Sequence, residues 1–407
     1  MKSKVLAAFL CFALLLTGCA AAPAEPTATL PLASVDHSLD AANSYLLSGN
    51  FYRFLPYKNF CYKFDHLKSL ILYYDCDSGT SGPLCADPDC THDSPDCSAY
   101  VVQGDGLNCY QDNLYFVSKD VSAAQTDPND YLWKTSLSGE NRQKVKCFDF
   151  NTVIQEYQPQ QYIIHQGQLY LIGYAYIVQG GKGLTRLSVL STALDDSETF
   201  TPIFQLETEA DIKYSVRFVG DSVYIFSAVQ GTAQVVRYDI STQSSATIYE
   251  ESAISDLLGE LWVSEDGTVY LAGADDDAGY VWTLAGHARQ VAVRFDIPEK
   301  NVPKLTGDIA VVLTRDADGN RQASVKDLSG ATIYDGPLFP SDISGLDVDP
   351  NNCYYGLLGG SKGQIVIELD TTMDTHEAAY CVLFLDPSSQ MQLLHLWSCK
   401  AYEKMFP

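Results

Sequence analysis

Positive charge is scarce in this chain. Lys and Arg number 26 against 51 Asp and Glu, leaving a formal charge of −25 over 407 residues. A body this acidic repels phosphate backbones, which excludes nucleic acid as a partner. Histidine is scarce as well, with seven residues (37, 66, 92, 165, 287, 376 and 395) scattered along the sequence. There is no P-loop and no dinucleotide fingerprint, so neither nucleotide site is expected. Beyond the N-terminus no apolar run approaches 18 residues, the length a membrane-spanning helix needs, and no long stretch carries a 3.6-residue period. Apolar material itself is plentiful, at 46% of residues with 12% aromatic, which excludes wholesale disorder and any collagen-like or low-complexity fibre.

The single long apolar run, residues 5–16, follows Lys2 and Lys4 and ends in Leu16-Thr17-Gly18-Cys19. Two cations before about a dozen apolar residues read as a secretory signal. The ending resembles a bacterial lipobox, in which small residues precede a cysteine that is diacylated on sulfur and becomes residue one. The expectation is a signal peptide over 1–18 and a lipidated Cys19 opening a Pro- and Ala-rich tether over 19–44. Two or three acyl chains would hold such a protein stably at a membrane. That places the body, residues 45–407, outside the cytoplasm as a membrane-anchored cell-surface lipoprotein.

Through that body, short alternating apolar runs are punctuated by Gly, Asp, Asn and Ser, which predicts an all-β fold. A hairpin whose turn precedes an aromatic strand recurs at 107–115, 162–170, 216–224, 262–270 and 346–354, with weaker copies near 57–62 and 306–312. A second hairpin follows each first one, near Tyr73, Leu132, Val189, Val236, Val281, Val325 and Val382. Paired hairpins at this spacing predict a β-propeller of seven four-stranded blades, with six or eight as the alternatives. One strand, 364–369 (QIVIEL), is left over. Its expected place is in blade one, which looks short and which it would complete to close the ring.

Cys85, Cys90, His92 and Cys97 fall within 13 residues, beside Asp87, Asp89, Asp93 and Asp96. Three thiols and an imidazole are the donor set of a closed tetrahedral zinc site, so structural zinc is the one cofactor to consider. The spacing matches none of the common zinc patterns, and outside the cytoplasm cysteines often pair. A structural disulfide, a structural metal and reactive thiols therefore all remain open. The segment Pro83-Leu84-Cys85 through Cys97 also resembles one shared by uncharacterised propeller lipoproteins of low-GC Gram-positive bacteria. Those proteins combine a lipobox, a Pro-rich tether, a PLCxxPxCxHxxxxC segment and a TolB-like propeller. The resemblance implies architecture and location, and it implies no activity. Of the other cysteines, Cys61 and Cys76 lie on adjacent runs of blade one where a cross-strand pair could form.

Several enzyme signatures dissolve on inspection. Gly359-Gly-Ser361-Lys-Gly363 matches G-x-S-x-G, but a nucleophile elbow needs a strand leading into a helix and both flanks read as strands. Asp316-Ala-Asp318-Gly319-Asn320 places its Gly too early for a calcium loop and lacks the twelfth-position Glu, so it reads as a hairpin turn. Asp275-Asp276-Asp277 reads as a solvated loop, and His165 as a strand residue satisfied locally.

Blades two and three are longer than blades four and six between their two hairpins. The extra residues predict loops between second and third strands at 121–131 and 174–184. With the cysteine segment, which connects blade one to blade two, they project from one face. That face offers Tyr131, Trp133, Tyr174 and Tyr176 beside Asp127 and Asp130, a combination suited to sugars, peptides or cations. The preferred function is a propeller module binding an extracellular glycan, peptide or partner protein. The alternatives are a propeller-type lyase or hydrolase using acidic residues near the central channel, and a scaffold for a membrane-associated complex.

Overall fold

Short strands separated by tight turns account for nearly all of the folded chain. The computed structural model describes residues 54–399 apart from 58–59, 66–68, 76–77, 79, 121, 123–125, 196, 198, 255–256, 287, 298–300, 340–353, 362, 371–377 and 386–390. The signal peptide, Cys19, the tether and Cys76 lie outside the described residues. The described residues form seven four-stranded sheets, each made of four strands consecutive in sequence. They are blades one to seven of a β-propeller, spanning 54–83, 102–148, 159–208, 213–251, 257–296, 304–337 and 354–399. Among the described residues, helix is confined to one short turn at 150–157, and no helix is long and apolar enough to cross a membrane.

Local chemistry explains the hairpins. The turns between first and second strands in blades two, three and six place two successive residues at positive φ, as at Gln111-Asp112 (48° and 56°) and Gln166-Gly167 (48° and 73°). That twist matches the right-handed twist of the flanking strands. The second strands are buried along their length, as in Leu114–Val117 and Val223–Phe226, because each lies inside its sheet with another sheet on both sides. Six core clusters fill the six interfaces between consecutive blades, for example Phe64 edge-on to Phe116 at 6.1 Å between blades one and two. Each large apolar side chain so buried contributes about 1.5–3 kcal/mol.

A second set of contacts sets which end of each blade faces which way. Tyr57 at the end of the first strand of blade one donates to Asp112 in the first turn of blade two at 2.9 Å. His165 bonds Gly220 O at 2.6 Å, Trp262 Nε1 donates to Asp308 at 2.8 Å, and Gly360 N donates to Thr306 Oγ1 at 3.1 Å. These contacts, with Tyr110 lying against Gly167 and Arg217 Nε donating to Leu261 O at 3.0 Å, join the first-turn end of each blade to that of the next, so all first turns share one side. In an up-and-down meander, the turns between second and third strands and the connections between blades then share the other side. His165 is, as expected, a locally satisfied strand residue.

The outer half of each blade carries its own repeat. In blades two to seven the third and fourth strands slip register once, at Leu132/Trp133, Val189/Leu190, Val235/Val236, Val281/Trp282, Val325/Lys326 and Tyr380/Cys381. Such bulges increase local twist and let the outer strands splay from the crowded centre.

Two sequence expectations are corrected. Residues Gln364–Asp370 are the second strand of blade seven, paired with Tyr354–Ser361 and with Ala378–Leu385, and blade one is complete within its own 54–83. The first strand of blade seven is thus Tyr354–Ser361, so Gly359, Gly360 and Ser361 are paired strand residues opposite Val366, Ile365 and Gln364 and not a turn. The stretch 174–184 is no loop. It extends two paired strands, Gln168–Gln179 and Lys182–Ala193, around a Gly180-Gly181 turn, because residue count alone cannot separate a longer loop from a longer hairpin.

Candidate functional site

The connection from blade one to blade two, residues 84–101, is strapped at both ends to one strand. Leu84 N donates to Ile71 O at 2.8 Å, Ile71 N to Ala99 O at 2.9 Å and Val101 N to Ser69 O at 2.7 Å. Leu84, Cys97, Ala99 and Val101 are buried in the core cluster between these blades. Between the straps the chain is a series of turns, closed by Cys90 N to Asp87 O, Cys97 N to Ser94 O and Tyr100 N to Cys97 O. His92 at φ 57° turns the chain back on itself.

These turns bring the four predicted residues together. The sulfurs of Cys85, Cys90 and Cys97 and a ring nitrogen of His92 all lie within 4.8 Å of one another. His92 Nδ1 is 3.4 Å from Cys97 Sγ, and His92 N donates to Cys90 Sγ at 3.4 Å. Burial, aided by the two neighbouring thiols, pushes the Cys97 thiol up to about 12, against a lowering hydrogen bond from the Ala99 backbone. Burial acts the same way on Cys85, but hydrogen bonds from Ser98, the Asp87 backbone and the other two thiols outweigh it and hold Cys85 below the usual thiol range. The neighbouring Asp87, Asp89, Asp93 and Asp96 are exposed. A disulfide would use two of these sulfurs and leave the third sulfur and the imidazole without a purpose. All four together are a donor set that a tetrahedral ion such as zinc can fill.

Against this cluster stands the outer half of blade two. The Tyr131 hydroxyl donates to Asp127 at 2.5 Å, and that bond with a backbone bond from Asn129 lowers the Asp127 carboxyl. Asp130 pairs with Lys119 at 2.7 Å. Trp133 Nε1 donates to Ser118 O at 3.1 Å. Lys144 lies 4.1 Å over the Tyr131 ring and Arg142 lies 4.4 Å over Trp133, with Phe116 also 5.1 Å from Arg142. Lys144 also pairs with Asp120 at 2.5 Å. Three of the four predicted residues of blade two therefore come together, Tyr131 and Trp133 in a half-buried stack with Arg142 and Lys144 and Asp127 bonded to Tyr131, whereas Asp130 alternates to the other face of the strand and pairs with Lys119.

Tyr174 and Tyr176 stand apart from that stack, on the extended hairpin of blade three. They are 44% and 70% exposed, and Val178 on the same strand is 73% exposed. Alternation places all three on one face of the strand. The Tyr174 ring meets the edge of Tyr214 in blade four at 6.5 Å. Next along the same side, a cavity of about 190 Å³ opens at the end of blade four, lined by Asp211, Lys213, Gln230, Thr232, Ile254 and Leu258 among others.

Sequence reasoning missed Arg142, Lys144, Tyr214 and Val178. No motif marks any of them. Only the Gly180-Gly181 pair flanked by alternating apolar residues could have signalled the hairpin that carries Val178.

No protein-family model and no curated protein matches the sequence. Solved structures do match in fold. A puromycin hydrolase is similar with a TM-score of 0.51 at 10% identity, over 92% of this chain and 57% of that one. TolB from Acinetobacter baumannii is similar with a TM-score of 0.37 at 11% identity, over 70% of this chain and 64% of that one. A putative 6-phosphogluconolactonase from Bacteroides fragilis gives 0.45 at 11% identity, over 93% of this chain and 97% of that one. The chain spans less than two thirds of the TolB and puromycin hydrolase chains. The likeness is one of β-propeller fold.

Proposed function

We propose that this protein is a lipid-anchored, extracytoplasmic binding module whose propeller takes a glycan, a peptide or a partner protein on the side bearing its blade connections. The observation that carries the reading is the exposed stripe of Tyr174, Tyr176 and Val178 on a hairpin that outreaches its sheet. Leaving Tyr176 and Val178 mostly in water, beside a Tyr174 half-covered by Tyr214, brings the fold little stability, whereas rings offered this way supply contact area to a ligand at low entropic cost. The Cys85, Cys90, His92 and Cys97 cluster belongs to the same reading as a structural zinc site. Zinc would hold the connection 84–101, which has little core of its own, and the four donors would supply that binding as folding energy.

An array of glycans and peptides tests the binding assignment. The double variant Tyr174→Ala, Tyr176→Ala should lose about 30-fold or more in affinity for the strongest array hit, since aromatic anchors carry on the order of 2 kcal/mol. Thermal stability should stay close to wild type, because exposed positions contribute within about 0.5 kcal/mol. Equal binding by wild type and variant would remove the hairpin from the ligand site. The address has a separate test. Cys19→Ser should release the protein from membranes or leave it unprocessed, and a variant that sediments with membranes as wild type does would end the lipoprotein assignment.

A further inference from the structure

Three cysteine thiolates, one neutral imidazole and a zinc ion sum to one net negative charge. The loop itself offers no compensation, since its own charged neighbours Asp87, Asp89, Asp93 and Asp96 are all acidic. A cation reaches the loop from the next blade. Arg142, beyond the turn between the third and fourth strands of blade two, donates from Nη1 to Tyr100 O, and Tyr100 N in turn bonds Cys97 O at 3.0 Å. Its plane is held between Phe116 and Trp133 at 5.1 and 4.4 Å. Its Nε and Nη2 are buried and have no hydrogen-bond partner among the described residues.

A guanidinium withdrawn from water with two nitrogens unmet is costly, and the usual remedy is a negative charge alongside. Asp120 is the one carboxylate that acts on Arg142, but it is bonded by Lys144 at 2.5 Å and by Ser122, so its charge is shared. A neutral disulfide in the cluster would leave Arg142 only the carboxylate charge of Asp120 that it shares with Lys144. A thiolate-rich zinc centre would supply the missing charge, with sulfurs able to accept N–H bonds.

We propose that Arg142 is the positioning residue of the zinc centre, its positive charge balancing the anionic Cys85, Cys90, His92 and Cys97 complex from outside the ligand sphere. The inference rests on the zinc reading given above. It couples metal occupancy to the Trp133 stack, and through Trp133 it makes the metal a clasp between blades one and two as well as within the loop.

The test uses the full chain. Elemental analysis should find one zinc per chain, and competition against a chelator should give its affinity in wild type, Arg142→Lys and Arg142→Gln. Loss of a partner outside the ligand sphere lowers metal affinity about 10- to 100-fold, which is the fall expected for Arg142→Gln, with the charge-retaining Arg142→Lys recovering part of it. Zinc affinity in Arg142→Gln within about threefold of wild type overturns the role of Arg142 and leaves the zinc reading standing. If Arg142→Gln does not fold, hydrogen exchange on wild type before and after chelation decides instead. Protection should then fall over 84–101 and also over 136–142, and a loss confined to 84–101 overturns the coupling. A chain without stoichiometric zinc, or with a disulfide among Cys85, Cys90 and Cys97 by mass spectrometry, overturns the zinc reading itself.

Discussion

Gly139→Ala is expected to destabilise the protein by roughly 3 kcal/mol, about 1–2 from a left-handed backbone and the rest from overpacking. Gly139 closes the turn between the third and fourth strands of blade two at φ 86°, and a Cβ there would sit 2.2 Å from Leu84 O and 2.8 Å from Leu84 C. Both atoms belong to the backbone of the cysteine connection, so neither can swing aside as a side chain would. Gly319 is the control. It has the same φ of 86° with nothing within 4 Å, so Gly319→Ala should cost only the backbone strain, about 1–2 kcal/mol. Urea unfolding of the two variants measures the difference. Labelling of Cys85 and Cys90 by a thiol reagent should also quicken in Gly139→Ala alone. Equal midpoints for the two variants would mean that the connection is not seated on the blade-two turn.

Asn108→Ala should cost more, roughly 3–5 kcal/mol, because it strands buried partners as well as deleting bonds. The Asn108 side chain is fully buried in the first strand of blade two. Its Nδ2 donates to Gly106 O at 2.8 Å and to Tyr162 O at 2.7 Å, while its Oδ1 accepts from Ile164 N at 2.8 Å. Side-chain amide thus substitutes for backbone pairing where two sheets abut and no ladder can run between them. Removal leaves Tyr162 O and Ile164 N without that partner in the interior of blade three. The measurement is the unfolding free energy, together with hydrogen exchange at Ile164, which should lose protection beyond what global destabilisation explains. A loss under 1 kcal/mol would show that water or neighbouring groups take over the amide's bonds.

The blades were legible because their determinants are local. Gln111-Asp112, Gln166-Gly167 and the strands beside them carry turn chemistry and alternation within nine residues, and no distant group is needed to read them. The misreading of blade seven has the same origin. Leu346 to Tyr354 has the composition of a first hairpin, so the strand Gln364–Asp370 looked surplus, and only its pairing with Tyr354–Ser361 and Ala378–Leu385 identifies it as the second strand. Asn108 sat unnoticed inside a correctly read hairpin, since its partners Tyr162 and Ile164 are more than 50 residues away.

By itself, then, the sequence determined an all-β chain, its repeating hairpins and the identity of the four clustered donors Cys85, Cys90, His92 and Cys97. Each follows from residue type and short-range spacing, which a linear string preserves. Tertiary structure alone decided that those four donor atoms converge within 4.8 Å, that the Nε and Nη2 of Arg142 are buried with no partner among the described residues, and that Tyr131 and Trp133 are engaged while Tyr174 and Tyr176 face water. Exposure and convergence depend on which surfaces other blades cover. That is settled by packing between segments far apart in the chain, where the string carries no distance at all.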